Sequence, residues 1–331
     1  MLLFGILSQS GSVTPLILLL IALIINVYTG RLTFFSHFKG HPINTLERLI
    51  EWFNLKLNRE TRSPIDRAIR GCLASISILF LSGIFGLSVT WLSNNLPFAW
   101  IFEIMLLLIL LDQKNTYKAV VKINTALCNH SIESARLGMA DLTTESPEKM
   151  DSFSIARAAI EVLATSLITG LLAPVFWYTL FGFAGLAIYH SATVMNIKIG
   201  HKTYRYQDFG FVANRLNAIV LFIPSLLAGP LIVLASFFVP TASPVKSFKC
   251  ILKNADKFYS YNLSIALSAF AGAFNLALAG PRRFTKKIKN EPWIGGGTAK
   301  ATHQDLQKSL YLFATVCLIN GLLITTLILF N

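Results

Sequence analysis

The apolar stretch over residues 157–230 constrains the fold of this chain more than any other feature. It begins with RAAIEVLATSLITGLLAPVFWYTLFGFAGLAIYH, which predicts a hairpin that enters a membrane and returns. Its second apolar part is interrupted by Pro224 and by Gly229 and Pro230. Proline and glycine inside a membrane helix free backbone groups that neighbouring protein or a water-lined cavity must satisfy. We therefore expect any functional site to lie where the hairpin meets the basic loop at residues 198–215.

The composition of the chain indicates an integral membrane protein. Of its 331 residues, 54% are hydrophobic and only 14% are charged, whereas a soluble domain has roughly 25% charged residues. The apolar residues are gathered in long runs, which is typical of helices that cross a bilayer. We therefore predict an all-α, polytopic membrane protein with about five to seven membrane segments, some of them re-entrant or broken.

The formal net charge of +13 does not indicate nucleic-acid binding, because the lysines and arginines lie between the apolar runs. Basic loops of this kind face the cytoplasm under the positive-inside rule. We therefore predict a multi-pass protein of the cell inner (cytoplasmic) membrane, with one membrane domain over residues 1–331 and its functional loops in the cytoplasm. The larger cytoplasmic loops are expected at about residues 31–70, 112–157, 196–215 and 282–308.

The order of the apolar runs gives the expected membrane segments. Residues 1–30 contain no charge, so we interpret them as a first transmembrane helix rather than a cleaved leader, which would begin with a basic region. Residues 31–70 are amphipathic and predict a helix that lies along the membrane surface. Further segments are expected at residues 71–92, 98–111, 158–189 (with a turn near Phe181 and Gly182) and 310–330.

Residues 216–239 and 263–279 allow two topologies. If the first of them crosses the membrane, the lysines from Lys246 to Lys257 lie outside, against the positive-inside rule. If the two form a re-entrant pair, these lysines stay in the cytoplasm, and the two internal prolines favour this arrangement. The sequence LSIALSAFAGAFNLALAG in the second segment is rich in small residues, which suits close helix packing.

Signals for a metal or a nucleotide are weak. The four cysteines (Cys72, Cys128, Cys250 and Cys317) are far apart and predict neither a disulfide framework nor a zinc site. His37 and His41 have the spacing of a metal pair on a helix, but Gly40 and Pro42 argue against a helix there. No G-x-x-x-x-G-K-[ST] sequence is present. The residues themselves therefore predict no metal site.

Ionisable residues give the first candidates for a functional site. Glu161 lies inside the apolar hairpin, and an acid at that depth is by default a functional hypothesis. The alternative is an ion pair with Arg157, which lies one helical turn earlier. In the later loop, Asp208 lies among three cations, Lys202, Arg205 and Arg215. This group suits a phosphate or carboxylate ligand, and it equally suits the head groups of anionic lipids.

Five segments in order resemble the CobD/CbiB family of cobalamin-biosynthesis membrane proteins, from about residue 41 to the end. They are GHPINTLERLIEWFNLKLN, IARAAIE, GLLAPVFWYTLFGFAG, GHKTYRYQDFGFVANRL with the FIP after it, and SYNLSIALSAFAGAFNLALAGPRRF. The resemblance implies an ATP-dependent amide formation that attaches aminopropanol, or its phosphate, to adenosylcobyric acid and gives cobinamide or its phosphate. It also implies ATP and Mg²⁺ as cofactors, and corrinoid and aminopropanol-type small molecules as partners beside the lipid bilayer.

The resemblance also assigns roles to single residues. Glu161 and Asp208 are expected to be catalytic. The residues expected to bind substrate are His41, Arg157, Lys202, Arg205, Arg215 and Asn262.

Several polar residues of the family's pattern are missing from this chain. The places of a Glu-Asn pair and a later Asp after Glu161 hold Thr165, Ser166 and Thr169. Together with replacements at Thr193, Asn196, Asn217, Ala218 and Leu226, four carboxylates and one arginine are lost. A Mg²⁺ site is not expected to survive the loss of four acids unless others replace them.

Two other functions therefore stay open. One is a catalytically inactive relative, similar to the AmpE type of membrane protein, that acts as a membrane sensor or partner-binding scaffold. The other is a small transporter or channel. Against the transporter, the chain shows no inverted repeat, and Glu161 is the one strongly placed ionisable residue inside a predicted membrane segment.

Overall fold

The computed structural model describes residues 14–30, 42–59, 61–143, 146–201, 203–254, 260–283 and 288–330. The chain divides into two compact units, and each is described by itself. The first unit comprises Met1–Leu111, Ala173–Leu221 and Ile324–Asn331, and the second comprises Asp112–Leu172 and Phe222–Leu323. The single membrane domain expected over residues 1–331 stays a prediction.

Helices make up most of the part of the chain that the structure describes. They are α1 (Pro15–Thr29), α2 (Pro42–Leu57), α3 (Pro64–Asn95), α4 (Ala99–Leu110), α5 (Lys114–Cys128), α6 (Ile132–Ala140), α7 (Ser152–Ser166), α8 (Ala173–Ile199), α9 (Phe211–Ala235), α10 (Pro244–Asn254), α11 (Tyr261–Phe274) and α12 (His303–Leu329). A 3-10 turn at Pro147–Lys149 precedes α7, and a π-helical segment at Leu167–Leu172 joins α7 to α8. The strands are β1 (Leu278–Ala279), β2 (Arg282–Arg283), β3 (Ile288–Lys289) and β4 (Trp293–Ile294).

Among the described residues, four helical stretches are long and apolar enough to cross a membrane. They are Pro64–Asn95, Ser152–Ile199, Phe211–Ala235 and His303–Leu329, and the shorter apolar helices Pro15–Thr29 and Tyr261–Phe274 add to them. The prediction of a polytopic, all-α membrane protein is confirmed. Helix α9 continues through Pro224 and Pro230, and α11 has only 14 residues. Whether these two helices form a re-entrant pair stays a prediction.

Helix α3 shows how this sequence builds a membrane helix. Pro64 stands in the first turn, where its missing N–H leaves no bond unmade. The Ser63 hydroxyl oxygen accepts a hydrogen bond from the backbone N–H of Asp66 at 3.2 Å. Ala74 and Ile78 are buried in the core of the first unit. The outward residues are apolar as well, as expected for a face in contact with lipid. They include Leu73, Phe80 and Leu87.

Helix α2 is the amphipathic helix expected within residues 31–70. Its inner face buries Ile50 in a core cluster that also contains Ile78, Met195 and Phe209. Its outer face exposes the charged residues Arg48, Glu51 and Lys56, beside Trp52. A helix with one buried apolar face and one exposed polar face fits a place at the membrane surface, which stays a prediction.

Gly182 breaks helix α8. Its φ of 61° and ψ of −152° lie in a region that is essentially open only to glycine. A Cβ built on Gly185 would lie 2.5 Å from the carbonyl oxygen of Trp177, whereas residues eight apart in an unbroken helix are about 12 Å apart along the axis. The chain therefore folds back at Gly182, and the turn expected near Phe181 and Gly182 is confirmed.

The first unit contains a buried acid, Glu103, that was not among the predicted site residues. Glu103 stands inside the apolar helix α4 and is only 3% exposed. The hydroxyl of the fully buried Tyr178 donates a hydrogen bond to Glu103 Oε1 at 2.7 Å. The expectation that Glu161 is the one strongly placed ionisable residue in a membrane segment is therefore wrong. The Tyr178 hydroxyl gives the buried carboxyl group a polar partner, and the Ser93 side chain is a second one.

Replacing Tyr178 by phenylalanine is expected to destabilise the protein by about 1–3 kcal/mol, because it removes a hydroxyl donor from a buried acceptor. The measurement is the thermal unfolding temperature of the full chain in detergent. The matched control is Tyr311→Phe, since the Tyr311 hydroxyl contacts the exposed Gln307 side chain and this tyrosine is 54% exposed. Equal unfolding temperatures for the two variants would contradict this role of the Tyr178 hydroxyl.

Candidate functional site

The second unit contains a cavity of about 480 Å³ in which charged side chains meet. One wall is α7 as far as Glu161, and the other is the segment around β1 and β4. These strands pair antiparallel, with Leu278 opposite Ile294 and Ala279 opposite Trp293. The described residues that line the cavity are Ser146, Lys149, Met150, Asp151, Ser154, Arg157, Ala158, Glu161, Ala279, Pro281 and Trp293.

Glu161 forms the inner end of this cavity. Its side chain is largely buried, and its Oε1 accepts a hydrogen bond from the backbone N–H of Ala279 at 2.6 Å. Ala279 has a φ of 59° and Gly280 a φ of 81°. A left-handed conformation at a non-glycine residue costs on the order of 1–3 kcal/mol and persists only where its surroundings impose it. The bond to Glu161 and the pairing of β1 with β4 impose this conformation on Ala279.

Arg157 lies one turn before Glu161 on the same face of α7. Its guanidinium donates to the carbonyl oxygen of Ala299 at 2.7 Å and to the Ser154 hydroxyl at 3.2 Å. The same group lies over the Trp293 ring, 5.2 Å from the ring centroid. Arg157 and Glu161 thus use different partners, and both line the cavity. The guanidinium is held in one place and presents a fixed positive charge.

The outer end of the cavity carries Asp151, Ser154 and the exposed Lys149. Asp151 caps the start of α7, and its carboxylate accepts from the backbone N–H of Ser154 at 2.9 Å. Hydrogen bonds from the Ser154 side chain and backbone hold the pKa of the Asp151 carboxyl below its usual value. Among the described residues, the cavity therefore presents two cations, Lys149 and Arg157, and two acids, Asp151 and Glu161. A lining of both signs suits a pair of ligands in which one is an anion and the other an amine.

The acids of this cavity do not form a dedicated metal site. Within the described part of the chain, no three or more His, Cys, Asp or Glu side chains are grouped so that they could hold a metal ion. Asp151 and Glu161 are ten residues apart, at the two ends of a helical stretch that is about 15 Å long. Asp151 and Glu161 therefore cannot bind one ion together, and these two residues support no reaction step through Mg²⁺.

Three other predicted site residues lie in the first unit, two in the loop after α8 and one at the start of α9. Asp208 pairs with the buried Arg67 of α3 at 3.6 Å, and Arg67 also donates to the carbonyl oxygens of Tyr204 and Arg205. The Arg205 guanidinium lies 5.7 Å from the ring centroid of Tyr206. The third residue, Arg215 in α9, lies 5.3 Å from the ring centroid of Phe211. Arg67 therefore fixes the backbone on which Asp208 and Arg205 stand.

The remaining predicted site residues are placed as follows. Asn262 is buried in the second unit, where its Oδ1 accepts from the Ser225 hydroxyl at 3.4 Å, and it does not line the cavity of Glu161. His41 and Lys202 lie outside the described residues. The structure thus brings Arg157 and Glu161 together in one cavity. A catalytic role for Asp208 stays a prediction.

Some lining residues were not predicted from the sequence. Lys149 and Asp151 lie within eight residues of Arg157 in the expected cytoplasmic loop, and the sequence DSFS there is a recognisable helix start. Lys149 and Asp151 could therefore have been predicted from the sequence. Ala279 and Trp293 could not have been found, because their place beside α7 depends on the pairing of two strands of two residues each.

Replacing Gly280 by alanine is expected to destabilise the cavity wall. A Cβ at this position would lie 2.7 Å from the Trp293 ring, at a backbone φ of 81°. The expected loss of stability is roughly 1–3 kcal/mol, as for other left-handed positions. The measurement is the thermal unfolding temperature, with Gly296→Ala as matched control because nothing lies within 4 Å of that Cβ. An equal effect of both variants would contradict this explanation.

The chain is similar to known proteins over most of its length. The family model described as CobD/Cbib protein matches residues 19–313. A cobalamin biosynthesis protein CobD of Brucella anthropi is 31% identical over 316 residues, which cover 93% of this chain and 96% of that protein. A protein of the same name from Rhodobacter capsulatus is 28% identical over 284 residues, with 83% and 85% covered. No solved structure matches the chain. This chain is a member of the CobD/CbiB protein family.

Proposed function

We propose that this chain acts in cobalamin biosynthesis in the cell inner membrane, as the protein that joins aminopropanol, or its phosphate, to adenosylcobyric acid. The named relatives support the pathway. The observation that supports the reaction is the cavity in which Arg157 and Glu161 stand side by side with different fixed partners. An amide-forming site has to hold a carboxylate and an amine at the same time, and this cavity presents one group for each.

Arg157 is the group for the anionic ligand. A guanidinium binds a carboxylate or a phosphate through two parallel hydrogen bonds, and it keeps its charge at any physiological pH. The contacts of Arg157 to Ala299, Ser154 and Trp293 hold the guanidinium in place before a ligand binds. Lys149, at the outer end of the cavity, adds a second positive charge for a phosphate group. These two residues would bind the propionate and the phosphate of the two substrates.

Glu161 is the group for the amine. In amide formation the amine nitrogen forms a bond to the acyl carbon, the activated acyl oxygen leaves, and the nitrogen loses a proton. A carboxylate within hydrogen-bond reach of the nitrogen accepts that proton. The N–H of Ala279 fixes one oxygen of Glu161, so that the group is oriented. ATP is the activating co-substrate implied by the family resemblance, and Arg157 and Lys149 are the described cations that its phosphates would meet in this cavity.

The topology of the proposed enzyme follows the distribution of charge. The basic loops at about residues 112–157, 196–215 and 282–308 are expected on the cytoplasmic side under the positive-inside rule. The cavity of Glu161 includes residues from the first and last of these loops. Cytoplasmic substrates would therefore reach it without crossing the bilayer.

A second candidate function is a catalytically inactive relative that keeps the scaffold as a sensor or for partner binding. One observation favours it. The hydroxyls of Thr165 and Thr169, which stand where the family pattern has polar site residues, donate to the carbonyl oxygens of Glu161 and Thr165 in their own helix. Ser166 does the same with Leu163. These hydroxyls satisfy helix backbone groups and do not line the cavity.

Complementation distinguishes the two functions. The chain is expressed in a bacterium that lacks its own CobD/CbiB protein, with cobyric acid as the only corrinoid, and cobinamide formation and B12-dependent growth are measured. We expect rescue by the unchanged chain and no rescue by Glu161→Gln, which keeps the shape of the side chain but cannot take up the proton.

The matched control is Glu133→Gln. It makes the same chemical change at an exposed glutamate, which is paired on the surface with Arg136 in α6. Both variants must reach the membrane at the level of the unchanged chain. Rescue by Glu161→Gln would rule out the proposed role of Glu161. Failure of the unchanged chain to rescue would favour the inactive relative.

A further inference from the structure

One side of helix α10 packs against α11 in the second unit. The Ser247 hydroxyl donates to the carbonyl oxygen of Ala269 at 2.9 Å, and the Ser264 hydroxyl donates to the carbonyl oxygen of Asn254 at 3.0 Å. Ser247 and Asn254 are both buried. Contacts at both ends of α10 therefore fix its rotation about its own axis. The side chains that do not face α11 are thus held on fixed faces of the helix.

Two exposed stripes run along those faces. Val245, Phe248 and Leu252 are 63%, 53% and 72% exposed and follow the i, i+3, i+7 spacing of one helix face. Lys246, Lys249 and Lys253 are also exposed and follow the same spacing one position later. A shift of one position turns a helix by about 100°, so the lysine stripe lies beside the apolar stripe.

A groove continues the apolar stripe towards α9. It has a volume of about 590 Å³. Its lining side chains are apolar apart from the Tyr261 hydroxyl, and they include Leu226, Val233, Phe237, Phe248, Leu252 and Ile265. Phe248 and Leu252 thus belong both to the exposed stripe of α10 and to the groove.

We propose that α10 binds an anionic phospholipid of the bilayer, with an acyl chain in the groove and the phosphodiester on the lysine stripe. Charge complementarity supports this occupant. The sequence from Ser236 to Tyr261 has four lysines and one acid, Asp256. A soluble polyanion would satisfy the lysines but leave the apolar stripe in water, whereas a phospholipid satisfies both. Long lysine side chains beside apolar residues place their ammonium groups at the level of the head groups.

The test uses the full chain in lipid nanodiscs of phosphatidylcholine, with and without phosphatidylglycerol. The readouts are the amount of phosphatidylglycerol retained after transfer to detergent and the thermal unfolding temperature. The unchanged chain is expected to retain phosphatidylglycerol and to unfold at a higher temperature when it is present. The variant in which Lys246, Lys249 and Lys253 are all replaced by glutamine is expected to lose both effects. The loss in affinity should be on the order of a hundredfold, since each basic residue near anionic lipid contributes roughly fivefold.

Two control variants keep the result interpretable. Replacing the three lysines of α5 (Lys114, Lys118 and Lys122) by glutamine makes the same change in net charge elsewhere in the second unit. This variant is expected to keep the response to phosphatidylglycerol. Replacing the three lysines of α10 by arginine keeps the charge and is expected to keep the response. In phosphatidylcholine alone, the glutamine variant has to unfold at the same temperature as the unchanged chain, which shows that it is folded.

Three outcomes would overturn the proposal. An undiminished response in the α10 glutamine variant would show that its lysines do not hold the lipid. An equal loss in the α5 variant would show that only the net charge matters. The same stabilisation by inorganic phosphate in detergent would show that the site takes a free anion and that the groove has no part in binding.

Discussion

The hydrogen bond from the Ala279 N–H to Glu161 Oε1 is the contact on which the candidate site depends. It joins α7 to a strand that is 118 residues away in the chain, and it holds Ala279 in a left-handed conformation. An unpaired carboxylate in an apolar helix would be costly, and the backbone donor offsets part of that cost. The same bond sets the distance between the two walls of the cavity. Without it, Arg157 would still contact Ala299 and Trp293, but Glu161 would lose its described backbone donor on the opposite wall.

The helical architecture of the chain could be predicted from the sequence, because long apolar runs have few ways to satisfy their backbone in lipid. The turn at Gly182 was predictable for a related reason, since the apolar hairpin had to reverse and glycine alone adopts its backbone angles freely. The arrangement of α9 and α11 was not predictable to the same degree. Proline does not by itself end a helix in a membrane protein, and α9 continues through Pro224 and Pro230.

The candidate site was predictable only in part. Arg157 and Glu161 could be found because they are local: both lie on one helix face, and an acid in an apolar run is unusual. The same reasoning applied to the run AWIFEIMLLLIL would have found Glu103, whose partner Tyr178 could not have been foreseen. Residues brought in from far along the chain, such as Trp293, depend on strand pairing that leaves almost no pattern in two residues.

The central claim is that Arg157 holds an anionic group of the substrate in the cavity of the second unit. Equilibrium binding of adenosylcobyric acid to the purified full chain, followed by its visible absorbance, tests this claim most directly. The comparison is between the unchanged chain, Arg157→Gln and Arg70→Gln, in which Arg70 is a partly exposed arginine of α3 paired with Asp66. Loss of a charged hydrogen bond predicts about tenfold to a hundredfold weaker binding for Arg157→Gln alone. Unchanged binding by a folded Arg157→Gln protein would contradict the claim.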